Sequence, residues 1–198
     1  MAQAQTVDVH GLLVGLSSRE ARVKFAASKA LRELSLHQPE LVYPHFGVFA
    51  ELLGHEDKIL KWNATFTLAN LAPVDRDGKL VRMLDVYLAP IDGLVLITAA
   101  NVIKGAAVIA MARPHLAERI AKHIMRVEKA RYATRECRDI AIGHALQALG
   151  KMAGVLGDQG AVRRFASRQM GNPRPATART AGTLARHAGT LSRLHEPQ

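Results

Sequence analysis

Apolar residues recur along this chain of 198 residues at helical spacing. Val23, Ala27 and Leu31 stand four and four apart, and the triplet returns as Leu60, Ala64, Leu68 and as Val95, Ala99, Ile103. A fourth copy keeps Ile142 and Leu146 but has Arg138 at the first place. The copies are offset by 37, 35 and 43 residues, and three residues after each comes Leu34, Leu71, Ala106 or Leu149. Spacing of four, four and three lines these residues along one helical face, so Val23, Leu60 and Val95 are expected inside an apolar seam.

Between the triplets lie second amphipathic segments, roughly 7–16, 41–53, 78–88 and 116–127. The body therefore reads as helix pairs repeated four times, an all-α chain with internal repeats. Punctuation agrees: Pro39, Pro44, Pro73, Pro90 and Pro114 fall at predicted element boundaries, where a missing N–H costs little. Ser17 with Glu20 has capping-box spacing, Asp77 can cap the helix after Gly78, and Gly54 fits a left-handed C-terminal position. Aromatics are only 5% of the chain, with alanine and leucine carrying the apolar share, which disfavours a sandwich or barrel.

Residues 46–72, FGVFAELLGHEDKILKWNATFTLANLA, resemble one HEAT or armadillo repeat. An apolar first helix and a short polar turn lead into a second helix carrying Leu60, Lys61, Ala64 and Leu68. The segments 11–34 and 83–106 follow the pattern more loosely, and the likeness covers about residues 7–152. Asn70 has the place of the armadillo asparagine, whereas the sister copies have Glu33, Gly105 and Ala148, so the subtype stays open between HEAT and armadillo. The resemblance implies a short right-handed α-solenoid of about four stacked antiparallel helix pairs, with the second helices lining a concave groove. The organisation expected is a repeat domain at 1–157, a capping helix at 158–170 and a flexible, arginine-rich tail at 171–198.

Charge adds a partner class. The formal net charge is +10, and from Gln159 onward there are seven arginines and one acid. Such a tail attracts acidic proteins, nucleic acid or anionic lipid. Its short repeat, AGTLAR then AGTLSR, would place Leu184 and Leu191 on one helical face, but the glycines and threonines favour disorder in the free chain. The start of the chain lacks the order of a signal peptide, and Asp92 and Lys104 interrupt the most apolar stretch, so a cytoplasmic protein without a membrane span is expected.

Two surfaces can serve binding. Residues just off the seam would look into the groove: Lys24, Ser28 and Arg32; Lys61, Thr65, Ala69 and Asn70; Asn101 and Lys104; Asp139, Gly143, His144 and Gln147. Lys24, Arg32, Lys61, Asn70, Asn101, Lys104 and His144 are the predicted partner-binding set, with the asparagines suited to clamping an extended acidic peptide. His115, Arg119, Lys122, Arg126 and Lys129, spaced four, three, four and three, form a basic stripe that can track phosphates. The alternative for both sets is an ordinary solvated helix face.

Chemistry is sparse. No HExxH, GxGxxG, GxxxxGK[ST] or GxSxG occurs, and the lone Cys137 between Arg135 and Arg138 reads as a packing residue. No cofactor, metal or catalytic residue is expected. A HEAT-like DNA glycosylase remains as an analogy of fold, with Asp139 as its carboxylate and Trp62 or Phe66 as nearby aromatics, though no motif aligns. The leading expectation is a non-catalytic scaffold that binds a protein or peptide through its groove. The alternative is a nucleic-acid binder using the stripe, the groove lysines and the arginine tail.

Overall fold

The computed structural model describes residues 8–193, with side chains through Arg186. Helix is the only regular secondary structure among the described residues. The chain divides into two compact units, 1–81 and 82–198. This differs from the boundaries expected from the repeat, which placed 1–157 in one array and 171–198 outside it.

In the first unit, α1 (Val9–Gly15) and α2 (Ala21–His37) form a hairpin, followed by α3 (Pro39–Val42), a 3-10 turn at Tyr43–His45, α4 (Phe46–Leu52) and α5 (Lys58–Asn70). The short α6 (Lys79–Arg82) follows. Helix α2 packs on α1 and α5, and α4 packs on α5. Caps set the starts. Asp8 Oδ1 accepts from the Gly11 N–H at 2.8 Å, and Asp57 Oδ1 accepts from the Ile59 and Leu60 N–H groups at 2.9 and 3.4 Å.

The outer segment 39–52 breaks at Pro44, which cannot donate within a continuous helix. Pro39 opens α3, and Pro73, Pro90 and Pro114 likewise sit in the first positions of short 3-10 turns, as the sequence suggests.

In the second unit, α7 (Leu84–Leu88) leads to α8 (Leu96–Ala112), α9 (Ala117–Ile124), α10 (Arg135–Met152), α11 (Gln159–Arg168) and α12 (Pro175–Arg193). Helix α8 packs on α9 and α10, α10 on α12, and α11 on α12. Thr134 caps α10 through the Cys137 N–H at 3.1 Å, and Asp158 caps α11 through the Ala161 N–H at 2.9 Å. Two carboxylates tie this end together. Glu118 accepts from the Gly157 and Asp158 N–H groups at 2.7 and 3.0 Å. Glu128 accepts from Arg168 at 2.7 and 3.0 Å and from the Gln169 amide at 2.6 Å.

The repeated apolar positions are buried at most places. Ala27, Leu31, Leu60, Ala64, Leu68, Ala99, Ile103, Ile142 and Leu146 are buried, and so are Leu34, Leu71, Ala106 and Leu149. Val23 and Val95 are not: they are 41% and 49% exposed. Val95 is the residue before α8, in extended conformation, so the helical period does not yet apply to it. Val23 lies in the first turn of α2, on the open side of the α1–α2 hairpin.

Three terminal assignments also change. Helix α2 has no side-chain cap; Ser18 Oγ accepts from the Glu20 N–H in place of a Ser17–Glu20 box. Buried Asp75, in place of Asp77, accepts from the Lys79 and Leu80 N–H groups at 2.8 and 3.1 Å, and takes the Tyr43 hydroxyl at 2.8 Å. Among the described residues Gly78, in place of Gly54, has the positive φ, 64°, that a glycine tolerates at no steric cost.

The largest correction concerns the C-terminal region. Instead of a flexible tail, Pro175–Arg193 is a helix, with Thr177, Ala181 and Leu184 buried. Leu191, expected on the same face as Leu184, lies outside the described side chains, and 194–198 lie outside the described residues. Packing outweighs the weak propensity of its glycines and threonines, each worth less than about 1 kcal/mol relative to alanine. Gly143 permits the approach: a Cβ there would stand 2.9 Å from Thr177 Oγ1, and the Thr177 hydroxyl donates to the Asp139 carbonyl at 2.9 Å.

Candidate functional site

The predicted groove residues of the first unit are largely engaged in holding helices together. Lys24 Nζ pairs with Asp57 at 3.0 Å, both less than a quarter exposed. Burial works to raise the Asp57 pKa, but hydrogen bonds from Lys24 and from the Leu60 and Ile59 N–H groups, with the Lys24 charge, hold it below the usual carboxylate value. Arg32 donates to Asn63 at 3.4 Å, lies 3.7 Å from Glu33, and stacks 5.1 Å from the Phe66 ring centroid. The Asn70 amide donates to Ser35 Oγ at 3.0 Å and to the Arg32 carbonyl at 3.4 Å. It joins α5 to α2, so the amide expected to clamp a peptide is already occupied. Ser28, Thr65 and Ala69 are buried and face no groove. Lys61 alone of this set is half-buried without an ion-pair partner among the described residues.

The basic stripe is partly neutralised. Arg119 pairs with Asp85 at 2.6 Å, and Arg126 pairs with Asp92 at 2.7 Å, with His123 Nε2 at 3.7 Å from the same carboxylate. These acids come from α7 and the following 3-10 turn. His115, Lys122 and Lys129 remain exposed. Alternation of paired and free cations weakens the stripe as a continuous phosphate track.

In the second unit, cations gather without acid partners. Lys104 is exposed on α8, His144 is half-buried on α10, and Arg174 precedes the first turn of α12. Neither Lys104 nor Arg174 has a carboxylate within ion-pairing distance among the described residues. Between α10 and α12 lies a cleft of about 160 Å³, lined by Ile140, Gly143, His144, Gln147, Arg174, Ala176, Thr177 and Thr180.

His144 Nδ1 is buried there without a hydrogen-bond partner. Burial, then the charges of Lys104 and Arg174, push the His144 pKa below its ordinary value of 6.5, leaving the imidazole neutral at pH 7. A more open depression of about 420 Å³ shares the Arg174 wall and is otherwise bounded by Arg135, Glu136, Asp139, Pro173 and Pro175.

Asp139, expected in the groove, is buried at 7% exposure and accepts from the Asn172 amide at 3.0 Å. That contact anchors the turn leading into α12, so its carboxylate serves packing. Asn101 is half-buried and Gln147 exposed.

Lys104 and His144 are the sequence-predicted pair that the structure brings together, and Arg174 is the member the sequence reading missed. The signal was present: an arginine before Pro175 occupies the entry to a helix with proline at its first position. Among the described residues, no group of three or more His, Cys, Asp or Glu side chains could hold a metal ion, and no helix is long and apolar enough to cross a membrane. No protein-family model, curated protein or solved structure matches this chain.

Proposed function

We propose that this chain is a non-catalytic helical-repeat scaffold that binds an acidic segment of another protein through the face carrying Lys104, His144, Gln147 and Arg174. The observation that carries the reading is the convergence of two uncompensated cations on a histidine whose ring nitrogen has no partner. The two cations disfavour the charged form of the imidazole, and an anionic ligand offsets their field on arrival. Part of the binding free energy is therefore prepared by the fold itself. The same field would steer an acidic partner and raise its association rate. The finer architecture, helix pairs continuing as turns of a right-handed HEAT or armadillo-type solenoid, belongs to the same proposal and is supported by the repeated buried positions from Ala27 to Leu146.

Fluorescence anisotropy with a labelled Glu-rich peptide tests the reading. Binding should appear at low ionic strength and weaken as salt rises, because the contacts are largely exposed. Lys104→Glu together with Arg174→Glu should weaken it about tenfold or more, since each reversal converts attraction into repulsion. Lys122→Glu with Lys129→Glu, on α9 and the turn after it, should have a small effect. A peptide that binds the first variant as tightly as the parent would place recognition elsewhere. Mobility shifts of DNA and RNA supply the contrasting outcome, in which tight, steeply salt-dependent nucleic-acid binding with no peptide binding overturns the scaffold reading.

A further inference from the structure

Resting on the acidic-partner reading, we infer that the cleft between α10 and α12 is a receptor site for a single phosphate dianion, free or as a monoester on the partner. Its size suits one such group. A cleft of about 160 Å³ has room for one tetrahedral oxyanion with residual hydration.

Its donors suit the charge. The Arg174 guanidinium on the cleft wall can take two phosphate oxygens together and Gln147 contributes amide N–H groups, while Lys104 on α8, outside the lining, adds a positive charge whose field reaches His144. Ala176 and Thr177, in the first turn of the 19-residue α12, line the same space, so the positive end of that helix adds to the field there. Thr177 and Thr180 border the cleft with hydroxyls that donate to the Asp139 and Ala176 carbonyls, which fixes the wall against which the anion would sit.

His144 completes the set as the adjustable member. The charged groups acting on it are Lys104 from α8 and Arg174 from the entry to α12, while Asp139 on its own helix is buried against Asn172. An anion seated against Arg174 and beside His144 offsets the unfavourable field that Lys104 and Arg174 exert on the protonated imidazole. Phosphate binding is thus coupled to proton uptake by the imidazole, so the bound anion should raise the His144 pKa from its depressed value.

Histidine ring C–H resonances of the full chain, followed by NMR during addition of inorganic phosphate at constant ionic strength, test this directly. The His144 signals should shift saturably and its pKa should rise, with chloride producing neither change. Arg174→Gln should weaken the phosphate response about tenfold, as expected for loss of one charge-assisted contact, and Lys104→Gln should weaken it by a smaller factor, as expected for loss of a charge outside the cleft wall. Using both variants separates the effect from a local change at the start of α12.

A second arm compares an acidic peptide bearing phosphoserine with the same peptide bearing serine. A tenfold preference for the former assigns the dianion to a partner's monoester, and a phosphate response without that preference assigns it to free phosphate. Equal shifts with chloride, or a phosphate response unchanged in both variants, overturns the inference. Should the Glu-rich peptide still bind while His144 ignores phosphate, only the cleft assignment falls; the reverse result removes the scaffold reading.

Discussion

Replacing Gly143 by alanine tests whether α12 is seated on α10 as described, because two effects of opposite sign meet at that residue. Gly143 lies mid-helix, where alanine is favoured by roughly 1 kcal/mol in intrinsic propensity. Here the added Cβ would stand 2.9 Å from Thr177 Oγ1, closer than such atoms approach. Thr177 cannot simply rotate away. It is fully buried and β-branched, and its hydroxyl is bonded to the Asp139 carbonyl at 2.9 Å.

Separating the helices or breaking that bond costs about 2–4 kcal/mol, combining overpacking with a lost buried hydrogen bond. The net expectation for Gly143→Ala is destabilisation of about 1–3 kcal/mol. With Thr177→Ala already in place, the obstructing oxygen is gone and the same change should become neutral or stabilising. Urea unfolding of the four proteins of this cycle reads the coupling, which should reach about 2 kcal/mol. A Gly143→Ala variant more stable than the parent in both backgrounds would show that α12 does not lie where we place it.

Other consequences follow from single polar contacts. Asp75→Ala removes three short contacts from a buried carboxylate, leaving the Lys79 and Leu80 N–H groups unmet, and should lower stability by about 2–4 kcal/mol in thermal or urea unfolding, whereas Tyr43→Phe should lose about 1 kcal/mol. Because the Asp57 pKa is depressed on folding, its contribution is present above the unfolded value of 3.8 and is lost as pH falls through the folded value; Asp57→Asn should therefore flatten acid unfolding below pH 3.8 relative to the parent. His123 and His144 are both held below 6.5, so the unfolded chain binds more protons just under that pH and stability should decline there, a slope that His144→Asn reduces. Lys104→Ala should raise the His144 pKa toward 6.5 in an NMR titration; no change would remove Lys104 from the cleft's electrostatics.

The fold was legible where a residue's environment is set by its own helix. Ala27 and Leu31, or Ala99 and Ile103, must be buried together because four-residue spacing puts them on one face whatever packs there. Val95 escaped because periodicity does not say where a helix begins, and the chain at Val95 is still extended. Helix α12 was hidden for a different reason. Its glycines and arginines read as a solvated tail, and the apolar burial of Ala181 and Leu184 exists only once α10 and α11 supply the other side.

The binding face divides in the same manner. Lys104 and His144 could be placed on successive inner helices by the repeat, but Arg174 joins them through tertiary packing and not through spacing. Asn70 shows the opposite failure: its position looked free to bind a peptide until Ser35 and the Arg32 carbonyl were found opposite it. Arg119 and Arg126 were likewise counted as free cations because Asp85 and Asp92 lie in different elements.

Attraction of acidic chains to the Lys104–His144–Arg174 face is measured most directly by the affinity of the Glu-rich peptide for the doubly reversed Lys104→Glu, Arg174→Glu protein. We expect binding about tenfold weaker or worse than in the parent, with the salt dependence reduced. Unchanged affinity in a variant that unfolds like the parent would contradict it.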